Sequence, residues 1–349
     1  MIYDVIVIGG GQSGLATGYY LRREKLDYLI LDAQPEPGGA WLHGWDSLSL
    51  FSQAQSSSLP GVLFPGGAVY PHRDSVIEYL RRYEKRYNLP VKRAVQVRDV
   101  IREDDHFRIL TDGIEFHTRS LINATGLWSR PFIPDLPGLD SYDGISLHSA
   151  RYKSPEPFKG LRVVIAGECN SGAQIMAEVS KVAETTWATT KKPVFLPDHI
   201  DGAYLFNQAS EMYKARQRGE TFKPVSLGDI VVVPSVKEAR DKGRLNARQG
   251  LTGLYEHGVV WSDGEQQTAD VIIWCTGFKP ALGHLASLGL TGYDKPKLKG
   301  NMSAVVPGVW FVGYGNWTGF ATATLIGAGR SAASAVKEVS RFLSEAYSG

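Results

Sequence analysis

Six residues, Gly9-Gly10-Gly11-Gln12-Ser13-Gly14, together with Asp32, carry the first chemical signal in this sequence. Glycines at 9, 11 and 14 follow the spacing G-x-G-x-x-G. The first permits a sharp turn, the second lets a pyrophosphate approach the backbone, and the third lets a helix pack closely on a strand. A helix starting there aims its free amides and partial positive charge at phosphate oxygens. Asp32 lies 18 residues past Gly14 and is placed to accept hydrogen bonds from an adenosine ribose. A second turn, Gly167-Glu168-Cys169-Asn170-Ser171-Gly172, repeats the pattern with Cys169 where the middle glycine would stand. The same 18-residue step from Gly172 reaches Thr190, which Lys191 and Lys192 follow. At this second ribose position the acid is gone and ammonium groups stand near, a combination that suits a 2′-phosphate. NADPH is therefore expected as the better hydride donor, with NADH still accepted, because a lysine makes a flexible point-charge contact.

Such turns work only between a strand and a helix. Val5–Ile8 is an apolar, β-branched run suited to a buried parallel strand, Leu15–Arg23 has helical spacing, and Tyr28–Leu31 is a second strand ending at Asp32. The second turn has the same frame: strand Leu161–Ala166, helix Ala173–Val182, strand Thr185–Thr189. A third pair of runs, Ser120–Gly126 and Val271–Gly277, both pass from an apolar strand into Thr-Gly, at Thr125-Gly126 and Thr276-Gly277. Val309–Gly313 predicts one further strand, which Gly315-Asn316 and a small-residue helix from Phe320 follow. The Pro-rich piece Arg151–Gly160 reads as a linker, and Leu205–Arg218 as a helical insert of mixed charge. Arg81–Arg86 reads as an exposed helix face. The expected fold is α/β with two Rossmann-like dinucleotide-binding domains. The first comprises residues 1–150 and 278–349, and the second, residues 151–277, is inserted into it.

Composition narrows the alternatives. With 43% hydrophobic and 21% charged residues in 349, the chain is of ordinary globular character, long enough for about two domains. Glycine is over-represented, 38 residues against an average of roughly 7%, consistent with turns that approach a ligand. A net charge of +2 argues against a nucleic-acid binder. Cys169 and Cys275 form no CxxC and no Cys-His cluster, so a zinc module and a dithiol redox centre are poorly supported, and no metal ligand is assigned. No run approaches the roughly 18 apolar residues of a membrane span, and the N-terminus has no signal-peptide pattern, so a cytoplasmic location is expected.

The arrangement resembles the glutathione-reductase-like flavoproteins with two dinucleotide-binding domains, in which the N-terminal unit holds FAD and the inserted unit NAD(P)H. Within them, Tyr142-Asp143-Gly144-Ile145-Ser146-Leu147-His148-Ser149-Ala150-Arg151-Tyr152 is similar to the fingerprint F-x-G-x-x-x-H-x-x-x-(F/Y) of the flavin-containing monooxygenases, related to the Baeyer–Villiger monooxygenases, with Tyr142 in place of Phe. Tyr152 in the last position favours the flavin-containing type over the Baeyer–Villiger one. Pro37-Gly38-Gly39-Ala40-Trp41, Trp45-Asp46-Ser47-Leu48 and Leu50-Phe51-Ser52 resemble a compact bacterial subgroup, some of whose members accompany arsenical-resistance operons. That is a genomic association and not a substrate.

The resemblance implies an NAD(P)H-dependent FAD monooxygenase that forms a C4a-(hydro)peroxyflavin and passes one oxygen atom to a sulfide, an amine or a ketone. Its partners would be O2, a small-molecule substrate and, as a further candidate, a second copy of the chain. Phe51 would replace the Asn that neighbours the flavin in larger members, and Asn316 replaces a common Asp in the C-terminal turn. Expected flavin contacts are Gly9, Gly11, Gln12, Ser13, Gly14, Asp32, Ala33, Gly39, Trp41, the backbone near Val97, Ala124, Thr125, Gly126, Gly315 and Asn316. Expected contacts to the nicotinamide cofactor are Gly167, Cys169, Asn170, Ser171, Gly172, Thr190, Lys191, Thr276 and Gly277. Phe51, Asn170 and Gln174 are the candidates nearest the chemistry. His148 reads as a residue tying a hinge to backbone, not a general base, because the flavin carries the reaction. An NAD(P)H oxidase or quinone reductase would share every cofactor motif, and a flavin-binding redox sensor is the non-enzymatic alternative.

Overall fold

The run Val5–Ile8 becomes the buried half of β1 (Ile2–Ile8), the strand around which the first unit is built. In this computed structural model, residues 1–198, 200, 204, 207–208, 211, 215, 218–220, 229–291, 296–319 and 321–347 are described. The expected helical insert at 205–218 lies largely outside the described residues, as does Phe320.

β1 leads through the first glycine turn into α1 (Gln12–Glu24) and returns as β2 (Tyr28–Leu31), which pairs with β1 in parallel, Val5 beside Tyr28. After α2 (Arg73–Tyr87), the short β3 (Val91–Lys92) extends the sheet beside β2. β4 (Val97–Arg102), β5 (Phe107–Thr111) and β6 (Glu115–Asn123) form an antiparallel meander, and β6 pairs in parallel with the other side of β1. On α2, Arg81, Arg82, Lys85 and Arg86 are exposed as expected, while Tyr83 is fully buried.

The second unit holds an all-parallel sheet. Its strands are β7 (Ile145–His148), β8 (Arg162–Ala166), β9 (Glu184–Thr189), β10 (Ala247–Gln249) and β14 (Val271–Trp274), in the order β10-β9-β8-β14-β7. Helices α3 (Asn170–Val179) and α4 (Pro234–Asp241) accompany it. A small antiparallel sheet of β11 (Leu251–Tyr255), β12 (Gly258–Trp261) and β13 (Gln266–Thr268) precedes β14. Continuous apolar runs such as Val163–Ala166 and Val271–Trp274 are buried throughout, as a parallel sheet requires. β15 (Leu298–Lys299), β16 (Met302–Ser303) and β17 (Val309–Phe311) then return to the first sheet, β17 beside β6, and α5 (Leu325–Tyr347) packs on α1.

The chain divides into two compact units: Met1–Leu42, Gln53–Arg130 and Lys279–Gly349 form one, His43–Ser52 and Pro131–Phe278 the other. This division passes between Arg130 and Pro131, whereas the sequence pattern places the start of the second domain at Arg151. Ile145–His148 is an edge strand of the second sheet, paired with Val271–Trp274, and the Tyr142 hydroxyl donates to the Ala269 carbonyl at 2.9 Å. Residues 43–52 join the second unit because the Asp46 amide donates to Lys153 O at 2.8 Å and Trp45 lies edge-on to Tyr152. The linker Arg151–Gly160 holds two 3₁₀ turns with Tyr152 and Phe158 buried and stacked. α3 starts at Asn170, earlier than the expected Ala173, since Asn170 and Ser171 already supply its first-turn amides.

Candidate cofactor sites

In the first unit, Gly9 turns with φ +106°, and a Cβ there would lie 2.5 Å from the Ala124 carbonyl oxygen. A Cβ at Gly14 would overlap the Gly9 carbonyl oxygen, so helix and strand meet here at backbone distance. Gly11 caps α1 with no side-chain hydrogen bond, and no acid lies in the first turn. Among the described residues no side chain caps the leading amides of α1, the arrangement that receives a phosphate. Gln12 is anchored at both ends of its amide, Nε2 donating to Ala323 O at 2.6 Å and Oε1 accepting from Trp41 Nε1 at 3.1 Å. Gly39 packs on Gly11, and Ser13 is buried. These contacts fix the wall of the turn on which the sequence placed Gln12, Ser13, Gly39 and Trp41.

Asp32 is buried at the end of β2 directly beneath Gly10. Its Oδ2 pairs with Arg93, which also pairs with Glu84. Sequence reasoning missed Arg93: it has no motif spacing, only proximity across the turn after β3. The pairing leaves Asp32 Oδ1 without a partner among the described residues, available to a ribose hydroxyl. Ala33 is exposed beside it, and Val97 is buried in the core with Ile8 and Leu31. A turn with open amides, close backbone packing and a held carboxylate fits a dinucleotide.

β6 ends in Asn123 and then Ala124-Thr125-Gly126. The Thr125 hydroxyl donates to Ala281 O at 2.7 Å, and Gly126 has φ +66°. Behind them lies a buried polar network that the sequence did not announce. Asn123 Nδ2 donates to the Tyr314 hydroxyl at 2.7 Å, and Asn123 Oδ1 lies 2.8 Å from His284 Nε2. Since the carbonyl oxygen can only accept, His284 carries its proton on Nε2. Burial pulls the His284 imidazole down to about 4, so it is neutral near pH 7. Gly315 and Asn316 open a short 3₁₀ turn, with Thr322 Oγ1 donating to Gly315 O at 2.8 Å.

The second unit repeats the turn. Gly167 has φ +133°, a Cβ on it would overlap Cys275 O, and one on Gly172 would overlap Gly167 O. Trp187 Nε1 donates to Gly167 O at 2.8 Å, and Cys169 caps α3 without a side-chain bond. Again the leading amides stand free of side-chain caps. The Cys169 thiol reaches solvent, yet partial burial and the Glu168 charge push its pKa up, so it is not an activated thiolate. Cys275 is buried, its pKa is raised by burial, and both cysteines are free.

The structure places three of the expected site positions as follows. Asn170 is a clamp within its own unit: its Oδ1 accepts from the Val231 amide at 2.9 Å and its Nδ2 donates to Asp229 O at 3.2 Å. Phe51, expected in the flavin unit, packs with Leu48 against the core of the second unit. The second ribose position is not free of acid. Glu168 folds over Thr190, accepting from its hydroxyl at 2.7 Å and its amide at 3.2 Å. The carboxylate comes from within the turn instead of from the strand end. Glu168 was visible in the motif, but only folding shows where it points. Thr190, Lys191 and Lys192 are exposed, and Gln174 is half-buried one turn into α3.

Thr276 and Gly277 close β14. Gly277 O accepts from the Phe132 amide at 3.0 Å and lies 2.9 Å from His148 Nε2. His148 Nδ1 accepts from the Ala150 amide at 3.1 Å, so the ring is the Nε2–H tautomer, and burial lowers its pKa. Both nitrogens are spent on backbone, which makes it the tether the sequence suggested.

Residues 6–202 match the pattern of the family described as pyridine nucleotide-disulphide oxidoreductase. The chain is 31% identical over 343 residues to an uncharacterized oxidoreductase, CzcO, of Bacillus velezensis, covering 97% of this chain and 99% of that protein. It is 26% identical over 342 residues to senecionine N-oxygenase of Tyria jacobaeae, covering 88% of this chain and 66% of that protein. A solved structure of a flavin-containing monooxygenase from Stenotrophomonas maltophilia superposes with a TM-score of 0.90 at 45% identity, covering 98% of this chain and 99% of that one. With its doubled glycine turn and Rossmann-like sheets, the chain belongs to the pyridine nucleotide-disulphide oxidoreductase family and is a flavin-dependent oxidoreductase that works with a nicotinamide cofactor.

Proposed function

We propose that the chain is an NADPH-preferring FAD monooxygenase acting on a small soft nucleophile such as a sulfide or amine, or on a ketone. The observation that carries this reading is the pair of uncapped glycine turns in a chain that aligns nearly end to end with a flavin-containing monooxygenase. The N-oxygenase relative points to the same reaction type. Disulphide reduction, the other chemistry in the family description, needs a thiol pair. Cys169 and Cys275 are both free, and neither thiol is activated.

Bound together, a flavin and a nicotinamide would supply the redox chemistry, two electrons from the nicotinamide reducing O2 so that one oxygen atom goes to the substrate and the other to water. The chain's own work is to hold the parts. The amides of α1 receive the FAD pyrophosphate, Asp32 the adenosine ribose, and Trp41 stands fixed through Gln12. The amides of α3 receive the nicotinamide dinucleotide, Lys191 stands for the 2′-phosphate, and Glu168 limits the preference. No side chain in this set acts as a general base, and His148 is occupied.

The test is product analysis with 18O2, alongside chromatography of the released chromophore. Incorporation of one 18O atom into a sulfide, amine or ketone product, with FAD as the chromophore, is expected. Complete recovery of NADPH electrons as hydrogen peroxide across those substrate classes would give the oxidase reading, which shares every cofactor motif. FMN as the chromophore would overturn the role of Asp32.

A further inference from the structure

We propose that Glu103, His106 and His117 form a binding site for one divalent transition-metal ion of the zinc type. The site lies on the outer face of the β4–β5–β6 meander. It rests on the strand register and the convergence of three ligand atoms, and is independent of the flavin chemistry.

The register assembles the set. Arg102 faces Phe107 across β4–β5, and the ladder continues as the Glu103 amide donates to His106 O at 2.9 Å. Across β5–β6, Arg108 faces His117. Phe107, Ile109 and Phe116 are buried on the inner face. Glu103, His106, Arg108 and His117 therefore share the outer one, with His117 diagonal to His106.

Their atoms converge. His106 Nε2 lies 2.9 Å from Glu103 Oε2 and 3.0 Å from His117 Nδ1. Ligand atoms on a tetrahedral zinc ion, with bonds of about 2.0–2.1 Å, are roughly 3.3 Å apart. All three ligand atoms lie within 4.8 Å of one another, so small side-chain rotations bring them around one ion.

The surroundings orient the ligands. His106 Nδ1 lies 2.9 Å from Asp105 Oδ1. A carboxylate oxygen only accepts, so Nδ1 carries a proton; in the neutral ring, the form that ligates a metal, the Nε2 lone pair faces Glu103 Oε2. Two acceptors at 2.9 Å repel unless a cation or a further proton lies between them. A carboxylate behind the far nitrogen of a ligating histidine is the usual second layer of a zinc site. Arg108 Nε lies 2.8 Å from Glu103 Oε1, which leaves Oε2 for the ion. The His106 side chain is only 16% exposed and that of Glu103 34%, so the site is partly shielded. Another triad, Asp143, Glu256 and His257, is fully exposed and offers one imidazole. It serves as an internal control. Arg108 and Arg119 on the same face lower the affinity for a cation.

The experiment uses full-length, flavin-loaded protein free of any affinity tag and treated with a chelator. Co2+ is titrated by absorbance, then Zn2+ by calorimetry and by displacement of Co2+. One Co2+ per chain is expected, with the intense visible bands of a four-coordinate ion, and Zn2+ displaces it. His106→Ala and His117→Gln should each weaken binding at least tenfold while keeping the flavin spectrum. Asp105→Asn should weaken it less, and His257→Ala should leave it unchanged. X-ray absorption of the Zn2+-loaded wild-type protein, which needs no variant to fold, should show two imidazole ligands. The absence of saturable one-to-one binding would overturn the proposal. So would loss of binding in His257→Ala, or binding unaffected by His117→Gln.

Discussion

The two glycine turns have nearly the same backbone and different charge. In both, the first glycine sits at positive φ against a carbonyl of the next strand, the last presses on the first, and the helix starts without a side-chain cap. At the ribose position they diverge. The first turn has a buried Asp32 neutralised by Arg93, and the second an exposed Thr190 covered by Glu168 with Lys191 alongside. A paired, buried acid suits a cofactor that stays, because its acceptor geometry is set before binding. An exposed position suits a cofactor that must arrive and leave. On the proposed function, the shared geometry would serve phosphate, and the side chains around it would set identity and residence.

The largest effects should come from breaking the shared geometry in one turn at a time. Gly14→Ala drives a methyl into the Gly9 carbonyl and should yield protein without flavin, a backbone conflict of about 3 kcal/mol or more. Gly172→Ala should leave the protein yellow and reducible by dithionite but not by NADPH. If Gly172→Ala protein lost its flavin as well, the division of labour between the turns would fail.

Next in size is a pH effect confined to the first unit. His284 has its pKa lowered to about 4 from an ordinary value near 6.5. The unfolded chain therefore takes up a proton that the native site refuses as pH falls from about 6.5 to 4. Stability should drop across that window by about 3 kcal/mol at its lower end, and should be flat with respect to this group above pH 7. Chemical denaturation of wild type and His284→Gln at pH 7.5 and 4.5 checks it. An equal pH loss in both would remove His284 as the cause.

Smaller again is the contest at the second ribose position. Lys191→Ala should raise KM for NADPH about tenfold and leave that for NADH nearly unchanged, a charge-assisted contact of about 1–2 kcal/mol. Glu168→Gln should lower KM for NADPH several-fold, since it removes a like charge beside the 2′-phosphate. Identical shifts for both donors would show that neither residue reads the phosphate. The smallest effect is expected from Cys169→Ser, within about twofold in kcat, because the thiol is not activated. A tenfold loss would give Cys169 a redox role.

The fold was legible where function and folding demand the same residues. Gly9, Gly14, Gly167 and Gly172 are glycine because backbone lies where a side chain would be, and that constraint prints itself at fixed spacing. Asp32 was equally legible, being the residue that directly follows the second strand at a fixed step from the glycine turn. Arg93, Tyr314 and His284 were not, because they reach their partners across long sequence separations that no local pattern records. Glu168 was in plain view and still misjudged, since a half-exposed carboxylate in a turn has several directions open to it. The pairing of β7 with β14 was not legible, because β7 is a four-residue strand with Ile145 and Ser146 exposed, too weak a signal to separate from a linker.

The parallel pairings have a consequence for synthesis. Val163 is the immediate neighbour of Val271, and Ile122 that of Trp310, so each sheet waits for a strand made long after its partner. While the chain leaves the ribosome, β8 and β6 carry apolar faces and open edges that nothing yet covers. Neither sheet can close until Val271–Trp274 and Val309–Phe311 have emerged. Folding of this chain is therefore late and slow, and its need for chaperones should be greatest in the interval between translation of Ala166 and of Phe311.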